Sequence, residues 1–494
     1  MILEFSKETG LAELAQATEA EARGAAQVRS LCVSNREATD GALFVAVDGS
    51  QRDGHEFVDD AFSRGAAAAV VSKPEVLAGR PGLVVKNTRA ALSRLCLIAS
   101  DKAAHKTRNI GITGTNGKTS IHWLLYQALW KLGHPALRVG TLGLKAEGLV
   151  DINEGLTTPG PVALHSAFKK FVAGGGKYCV METSSHALEQ RRVDDVPFDV
   201  GVFTNLTRDH LDYHGDMDSY FRAKLRLFEL LSKNPEGLKA AVVNTGDEWG
   251  RRIVASLPAL GLQCLTYGDD IECSARILSF EQDLRGSTLM LDLAGMKLKL
   301  QSYFLGHYNA ANLAAVFAAL YALGLDCKWA AELLPELPQV PGRIQSIMGA
   351  PFGVYIDYAH TPDGLQNVLQ TLRPLTKNRL WILFGCGGER DRGKRPLMAE
   401  VACGLADCVV LTADNPRSED PQQIIDDMLS TGVRPAHIEL DRKKAIAHVI
   451  SSARPGDVVL LAGKGHEDYQ ILGSEKQHFS DFEEAAFCVR QLVS

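Results

Sequence analysis

No Cys-x-x-Cys pair occurs in this sequence, and its 10 cysteines are scattered through 494 residues. No disulfide or redox framework is read from such spacing, and reduced thiols are expected. Long hydrophobic runs are also missing: no apolar stretch approaches the length of a membrane span. The opening MILEFSKETG carries acidic residues and no apolar run of the kind an export signal needs. Positive charge is not in excess either. The chain has 53 Lys and Arg against 59 Asp and Glu, a formal net charge of −6. That balance argues against generic binding to nucleic acid or an anionic membrane, so any anionic ligand must be held by a local cluster. There is no low-complexity segment and no repeat of fixed period. A soluble, cytoplasmic protein is expected, with no nucleic-acid partner and no membrane insertion. Its length exceeds what one core serves, and about two to four domains follow.

What is present begins with T-G-T-N-G-K-T-S at 113–120. It follows the apolar run 109–112 and opens the segment 118–132. There Ile121, Leu124, Leu125, Ala128, Leu129 and Leu132 share one helix face, and Gly133 is the expected stop. The stretch therefore sits where a strand ends and a helix begins. Backbone N–H groups of Gly114, Thr115, Asn116, Gly117 and Lys118 would point into the loop, and the helix N-terminus adds positive potential. Lys118 can reach the β- and γ-phosphates of a nucleotide, and the Thr119 hydroxyl can ligate Mg²⁺. The pattern is a shortened P-loop. The full one has four residues between its first Gly and the Gly-Lys pair; here Ile112 holds that first position and Gly114 leaves two. A Gly-rich turn with an accidental Lys-Thr is the bland alternative, and the strand-to-helix context disfavours it. A phosphate loop alone does not name a reaction.

Residues 1–88 mix strand-like runs at 42–47, 67–71 and 83–86 with helical pieces, and Asp53-Gly54 and Pro81-Gly82 read as turns. The polar clusters 34–36, 50–52 and 53–55 read, by themselves, as ordinary surface loops. From 89 to 338 strands and helices alternate around the P-loop. The run 177–181 reads as a buried strand with Glu182 at its end, and 199–204 leads into the polar stretch 205–215. Ligands collect outside the carboxyl ends of strands in open α/β sheets, so these segments should converge on the P-loop. Glu182 and His210 are then candidate ligands for a second cation. A helix-capping carboxylate and a structural histidine are the ordinary alternatives. In the helix read at 219–231, Lys224 falls inside the apolar stripe of Tyr220, Leu227, Phe228 and Leu231. The residue pattern alone favours a lysine that snorkels outward over a desolvated amine nucleophilic toward CO₂. Residues 276–301 alternate as antiparallel hairpins. A helix at 307–323 stops at Gly324, and Pro335, Pro338 and Pro341 mark a linker.

Residues 339–494 form a second alternating run. Strands at 354–356, 379–384, 408–411 and 457–461 predict a mostly parallel, Rossmann-like sheet. A polar cluster follows each strand, at 357–360, 385–395, 414–417 and 463–467. Four clusters at one sheet edge are more specific than any one of them. No G-x-G-x-x-G stands in a strand-to-helix context here, so a dinucleotide site is not expected.

Seven stretches carry a resemblance: T-G-T-N-G-K-T-S at 113–120, M-E-T-S-S-H at 181–186, N-L-T-R-D-H-L-D-Y-H-G at 205–215, D-Y-A-H-T-P-D at 357–363, G-C-G-G-E-R-D-R-G-K-R-P at 385–396, D-N-P-R at 414–417 and A-G-K-G-H-E-D-Y-Q at 462–470. Together, and in order, they resemble the Mur ligases. Within that family the chain is most similar to the branch that adds meso-diaminopimelate to UDP-N-acetylmuramoyl-L-alanyl-D-glutamate in peptidoglycan precursor synthesis. The resemblance implies three α/β domains: an N-terminal uridine-nucleotide domain at 1–88, a central P-loop ATP-binding domain at 89–338, and a C-terminal Rossmann-like amino-acid domain at 339–494. It implies ATP and Mg²⁺, and a monomer is the expected form. It also implies the reaction. ATP phosphorylates the D-glutamyl carboxylate, the amine of diaminopimelate attacks the acyl phosphate, and phosphate leaves. A carboxylate is a poor acyl donor, and phosphoryl transfer between anions calls for positioning and cations rather than a protein nucleophile.

Residue by residue, the resemblance implies ATP contacts at Gly114, Thr115, Asn116, Gly117, Lys118, Thr119 and Ser120, with Thr119 also on Mg²⁺. Glu182 and His210 match second-Mg²⁺ positions. Lys224 matches a lysine that is carbamylated in the family, which reverses the snorkelling preference. Asn309, Arg343 and Asp357 match nucleotide contacts. Asn35, Ser50, Gln51, Arg52, Thr157, Thr158, Ser184, Gln190 and Arg192 fall at contacts to the UDP-sugar dipeptide. Asn35 stands where the family's D-S-R has Ser, and Leu156 where its N-T-T has Asn. Arg390, Asp414, Asn415, Pro416, Arg417, Gly463 and Glu467 match the diaminopimelate site, and Glu389 stands for the Asp of G-G-D-R.

The nearest rival reading is the same ligase with L-lysine as donor. Arg417 argues against it, because a guanidinium grips the second carboxylate of diaminopimelate bidentately. A folylpolyglutamate-synthase-like ligase is disfavoured by the N-terminal domain and the D-N-P-R segment. A regulatory nucleotide-binding module without ligase activity is disfavoured by the intact Lys118, Glu182, His210 and Lys224.

Overall fold

The computed structural model describes residues 1–49, 52–146 and 155–493. The chain divides into two compact units. The first takes Met1–Ile277, Asp292–Lys297 and Ala311–Leu333; the second takes Leu278–Leu291, Leu298–Ala310 and Leu334–Ser494.

The first unit opens with β1 (Leu3–Gly10), β2 (Glu21–Arg23), β3 (Gln27–Cys32), β4 (Ala42–Val45), β5 (Ala66–Val71) and β6 (Gly82–Val84), in the sheet order β1-β3-β4-β5-β6-β2. Strands β3 to β6 run parallel, and β1 and β2 pair antiparallel at the two edges. All of β4 is buried, as a strand covered on both faces must be. Leu43 and Val45 share one core with Leu11, Leu14, Leu92 and Leu95, while Ala42 and Phe44 share another with Val58 and Ala61. The helix Thr88–Ala99 thus packs on this sheet. It begins at Asn87, whose side chain accepts the Ala90 N–H at 2.9 Å.

A second sheet in the same unit holds β7 (Arg108–Thr113), β8 (Ala136–Gly140), β9 (Gly143–Lys145), β10 (Tyr178–Glu182), β11 (Phe198–Phe203), β12 (Ala240–Asn244) and β13 (Gln263–Gly268). Their order is β13-β12-β11-β7-β10-β8-β9, and every pair but β8 with β9 is parallel. The register sets Glu182 opposite Ile112 and Phe203 opposite Thr113. Three strand ends therefore stop together where the helix Lys118–Lys131 begins. That helix ends as its sequence predicts, with Gly133 at φ +81° and its N–H donated to Trp130 O at 3.0 Å.

The expected hairpin run appears as β14 (Ala275–Asp283), β15 (Gly286–Leu293) and β16 (Met296–Ser302), with burial alternating along β15. The second unit carries β17 (Gln345–Ser346), β18 (Gly353–Asp357), β19 (Leu380–Phe384), β20 (Cys408–Leu411), β21 (His437–Ile438) and β22 (Val458–Ala462), in the order β17-β18-β22-β19-β20-β21. All but the edge strand β17 are parallel. Alternate residues of β19 serve two cores, Leu380, Ile382 and Phe384 on one face and Trp381 and Leu383 on the other. The strand order sets the ends of β20, β19, β22 and β18 side by side. These are the ends that carry the four polar clusters. A two-stranded hairpin, β23 (Tyr469–Leu472) with β24 (Glu475–His478), follows β22. Among the described residues no helix is long and apolar enough to cross a membrane.

Candidate active site

The loop at 114–118 turns back over the end of β7. Gly114 sits at φ +145°, and a Cβ there would stand 1.8 Å from the Thr204 hydroxyl oxygen, so only glycine fits. That close approach lets the segment after β11 lace the loop. Thr204 Oγ1 donates to Asn116 O at 2.6 Å, Asn116 N–H to Asn205 Oδ1 at 3.0 Å, and Thr115 N–H to Asn205 O at 2.8 Å. Lys118 folds over the loop, donating from Nζ to the carbonyls of Gly114 at 2.9 Å and Thr115 at 2.8 Å. An ammonium poised there is placed to meet a phosphate, but the Thr115 and Asn116 N–H groups, expected to point into the loop, are taken by Asn205. Ser120 is buried on the same helix.

Glu182 ends β10 and is fully buried. Its Oε2 accepts from Thr119 Oγ1 at 3.0 Å and Thr141 Oγ1 at 3.1 Å, and its Oε1 accepts the Thr141 N–H at 2.9 Å. It caps no helix: the following helix, Ser185–Glu189, is capped by Ser184, whose Oγ accepts the Ala187 N–H at 3.2 Å. A buried carboxylate and a hydroxyl side by side at a phosphate loop are hard oxygen donors, the set that Mg²⁺ prefers. Among the described residues no three His, Cys, Asp or Glu side chains converge on one point. A cation at Glu182 would therefore need phosphate or water oxygens as well.

Lys224 corrects the residue-pattern expectation. It does not snorkel: it is 1% exposed within the helix Met217–Ser232, and its Nζ donates to Gly114 O at 2.8 Å. The Tyr220 ring centroid lies 4.4 Å from Nζ. Burial, with the Lys118 charge as a second cause, holds its pKa well below the usual lysine range. A larger share of it is then the neutral, nucleophilic amine. His210, at φ +52°, opens the short helix Leu211–His214 and is exposed. Its ring meets His186 edge-on at 5.0 Å, and Nε2 lies 3.5 Å from an Asp209 oxygen. It is not a buried structural histidine.

Five residues marked for the UDP-sugar dipeptide, Thr157, Thr158, Ser184, Gln190 and Arg192, are linked by hydrogen bonds that run from Glu182 and Thr141. Thr141 Oγ1 meets Thr157 Oγ1 at 3.3 Å. Thr158 Oγ1 donates to Glu182 O at 2.7 Å and accepts the Ser184 N–H at 3.0 Å. Arg192 donates to Thr158 O at 2.8 Å and to Gln190 Oε1 at 2.6 Å, and Gln190 Nε2 donates to Tyr213 OH at 3.1 Å. In the turn after β3 Asn35 donates from Nδ2 to Asp60 Oδ2 at 2.6 Å, and Arg52 is exposed. Ser50 and Gln51 lie outside the described residues.

In the second unit the loops after β18, β19, β20 and β22 meet. Asp357 is buried. Its carboxylate accepts the Ile344 and Ala359 N–H groups, both at 2.8 Å, and burial raises its pKa. Arg343 lies with its guanidinium carbon 4.8 Å from the Tyr358 ring centroid, and Asn309 donates to Leu305 O at 2.8 Å. A Cβ on Gly388 would stand 1.9 Å from Pro416 O, so the β19 and β20 loops touch backbone to backbone. Arg417, at φ +54°, donates from Nη1 to Gly388 O at 2.7 Å. Asn415 Nδ2 donates to Glu467 Oε2 at 3.0 Å, and burial raises the Glu467 pKa. Arg390 is exposed on the β19 loop, and Gly463 approaches Asp414.

Three family models match the chain in sequence order: "Mur ligase family, catalytic domain" over 27–98, "Mur ligase middle domain" over 112–320, and "Mur ligase, glutamate ligase domain" over 342–465. The chain is 43% identical to the UDP-N-acetylmuramoyl-L-alanyl-D-glutamate--2,6-diaminopimelate ligase of Pseudomonas putida, over 93% of this chain and 94% of that relative. The chain belongs to the Mur ligase family. A solved ligase of the same description superposes with a TM-score of 0.71 at 32% identity, over 94% of this chain and 95% of its own. The MurF ligase of Thermotoga maritima, solved in complex with ADP, shares the fold with a TM-score of 0.60 at 20% identity, over 88% of this chain and 94% of that one.

Within this Mur ligase, four side chains beside the marked residues were not singled out from the sequence. Thr141 holds both oxygens of Glu182. It follows β8 in no motif, so only the strand-end rule could have pointed to it. Arg395 is fully buried and ties Glu419 and Asp427 to Gly387 O. Lys464 and Gln470 lie inside the A-G-K-G-H-E-D-Y-Q stretch. Both bind the 414–415 segment, a pairing that no local spacing reveals.

Proposed function

We propose that this chain joins meso-diaminopimelate to the D-glutamyl carboxylate of UDP-N-acetylmuramoyl-L-alanyl-D-glutamate, spending ATP, in peptidoglycan precursor synthesis. The observation that carries the choice of donor is on one loop. Asp414 places a carboxylate there, on a residue 7% exposed, and three residues on stands the guanidinium of Arg417. An ammonium acceptor beside a carboxylate grip suits a carbon that bears both groups.

Three domains divide the work in chain order: uridine nucleotide, ATP, amino acid. The second limit stays near 338, and the first moves from 88 to near 99, because the apolar face of the helix Thr88–Ala99 lies in the first core. All substrates are water-soluble, so a cytoplasmic monomer suffices. Lys118 exchanges its loop carbonyls for β- and γ-phosphate oxygens. Thr119 would hold one Mg²⁺, and Glu182 and His210, with a carbamylated Lys224 near them, a second, and the ions supply charge neutralisation at the phosphates when bound. Lys224, as a neutral amine, adds CO₂ and releases a proton, leaving a carbamate anion in place of an amine. Thr157, Thr158, Ser184, Gln190 and Arg192 orient the dipeptide, with Asn35, Ser50, Gln51 and Arg52 on its uridine end. Asn309, Arg343 and Asp357 hold the nucleoside of ATP.

The D-glutamyl carboxylate attacks the γ-phosphorus and ADP leaves. One carboxylate oxygen becomes the bridge of an acyl phosphate. The donor amine adds to the acyl carbon, the carbon–oxygen bond breaks, and phosphate departs with that oxygen. Arg390 and Glu467 hold the reacting end of the donor. Arg417, Asp414 and Asn415 hold its distal carboxylate and ammonium, with Pro416 and Gly463 shaping the wall. An ¹⁸O-labelled D-glutamyl carboxylate tests this route. One label should appear in the released phosphate, and unlabelled phosphate would rule the acyl phosphate out.

A further inference from the structure

We propose that Lys464 is a positioning residue for the donor amino acid: an internal cation that fixes the side chains of Asp414, Asn415 and Glu467. This rests on the reading of 414–417 as the donor segment. The Lys464 side chain has no solvent exposure at all, so it is not itself a donor contact. Its Nζ donates to Asn415 Oδ1 at 3.2 Å and lies 3.5 Å from both Asp414 Oδ1 and Glu467 Oε2. A cation among two carboxylates offsets the repulsion that would otherwise drive one of them to take up a proton. For Glu467, Lys464 is the largest influence opposing the effect of burial.

Asn415 shows the positioning directly. Its Oδ1 accepts two donors, Lys464 Nζ at 3.2 Å and the Ile471 N–H at 3.0 Å. Both lone pairs are then used, which turns Nδ2 toward Glu467 Oε2 at 3.0 Å. The hairpin of β23 and β24 adds further ties. Gln470 Nε2 donates to Asp414 O at 2.7 Å, Arg417 N–H to Ile471 O at 3.2 Å, and Gly473 N–H to Arg417 O at 2.9 Å. Asp414 Oδ1, on a residue only 7% exposed, makes no hydrogen bond and faces Lys464 Nζ at 3.5 Å. Lys464 thus holds the Asp414, Asn415 and Glu467 side chains from inside.

Lys464→Met keeps the stem and removes the charge. The KM for meso-diaminopimelate should rise roughly ten- to hundredfold, with kcat at saturating donor and the KM values for ATP and the UDP-dipeptide within about threefold of wild type. Lys464→Arg should recover part of the donor KM. Gln470→Ala cuts one tie at a half-exposed residue, and it carries the test should Lys464→Met melt early by circular dichroism. Its donor KM alone should rise, by roughly three- to tenfold. An unchanged donor KM, or an equal rise in all three KM values, overturns the proposal. If wild type itself shows no diaminopimelate-dependent turnover, the reading of the donor segment falls, and the proposal falls with it.

Discussion

Lys224 Nζ and Gly114 O stand 2.8 Å apart although 110 residues separate them in the chain. This bond joins the apolar stripe of one helix to the phosphate loop of another, and it explains how a lysine stays inside a core. The amine has one backbone acceptor and an aromatic face, on a residue 1% exposed. If it carries a carbamate in the working enzyme, Lys224→Ala should lose roughly 10²–10³-fold in rate, and added short carboxylates should restore part of it. Lys224→Arg keeps a positive charge but forms no carbamate, so it should stay inactive. ADP release is the assay, and near-normal release by Lys224→Arg would remove the carbamate role.

Lys118→Ala should fold normally and lose turnover on the order of a thousandfold. The charge facing the transferring phosphoryl group is gone, while the loop remains laced by Thr204 and Asn205. Phosphate release persisting in a variant with an unchanged melting curve would show that the loop does not serve ATP.

Arg417→Ala should cost about ten- to hundredfold in kcat/KM for diaminopimelate, since a hydrogen bond to a charged group is worth about 1.5–3 kcal/mol. Lysine lacks the distal carboxylate, and its use should suffer far less. Both amino acids must be assayed on wild type and variant. Equal harm to both would mean that Arg417 does not select the donor.

The legible part of this molecule was periodic or local. Apolar runs and strand-end polar clusters located four parallel strands of the second unit, and in the first unit Gly133 marked the end of the helix Lys118–Lys131. Lys224 shows the limit. Its place in the apolar stripe was readable, but whether a lysine stays in or leaves depends on a partner, and the partner is a carbonyl on a distant loop. Residue preference favoured snorkelling, and only the family resemblance pointed the other way. Thr141 and Lys464 were missed for the same reason. Each earns its position through contacts across strands, with Glu182 in one case and with Asn415 in the other.

His165 gives the protein an acid-sensitive core. It is fully buried in the helix Pro161–Ala173, meets Ser100 Oγ at 3.2 Å through Nδ1, and burial pushes its pKa down to about 3. The unfolded chain takes a proton near the ordinary value of about 6.5. Between those values the unfolded state binds a proton that the native state refuses. The stability is therefore full above pH 6.5 and falls as the pH drops, by roughly 2 kcal/mol at pH 5. Comparing thermal midpoints at pH 5.0 and 7.5, His165→Asn should show a smaller acid loss than wild type. An identical loss would place the acid sensitivity elsewhere.

The most direct test of the whole account is phosphate release by the purified wild-type protein with ATP, Mg²⁺ and UDP-N-acetylmuramoyl-L-alanyl-D-glutamate, on adding either meso-diaminopimelate or L-lysine. The account predicts release that requires the uridine dipeptide and is strongly stimulated by diaminopimelate, with little response to lysine. Equal stimulation by lysine, or release that ignores both amino acids, would contradict it.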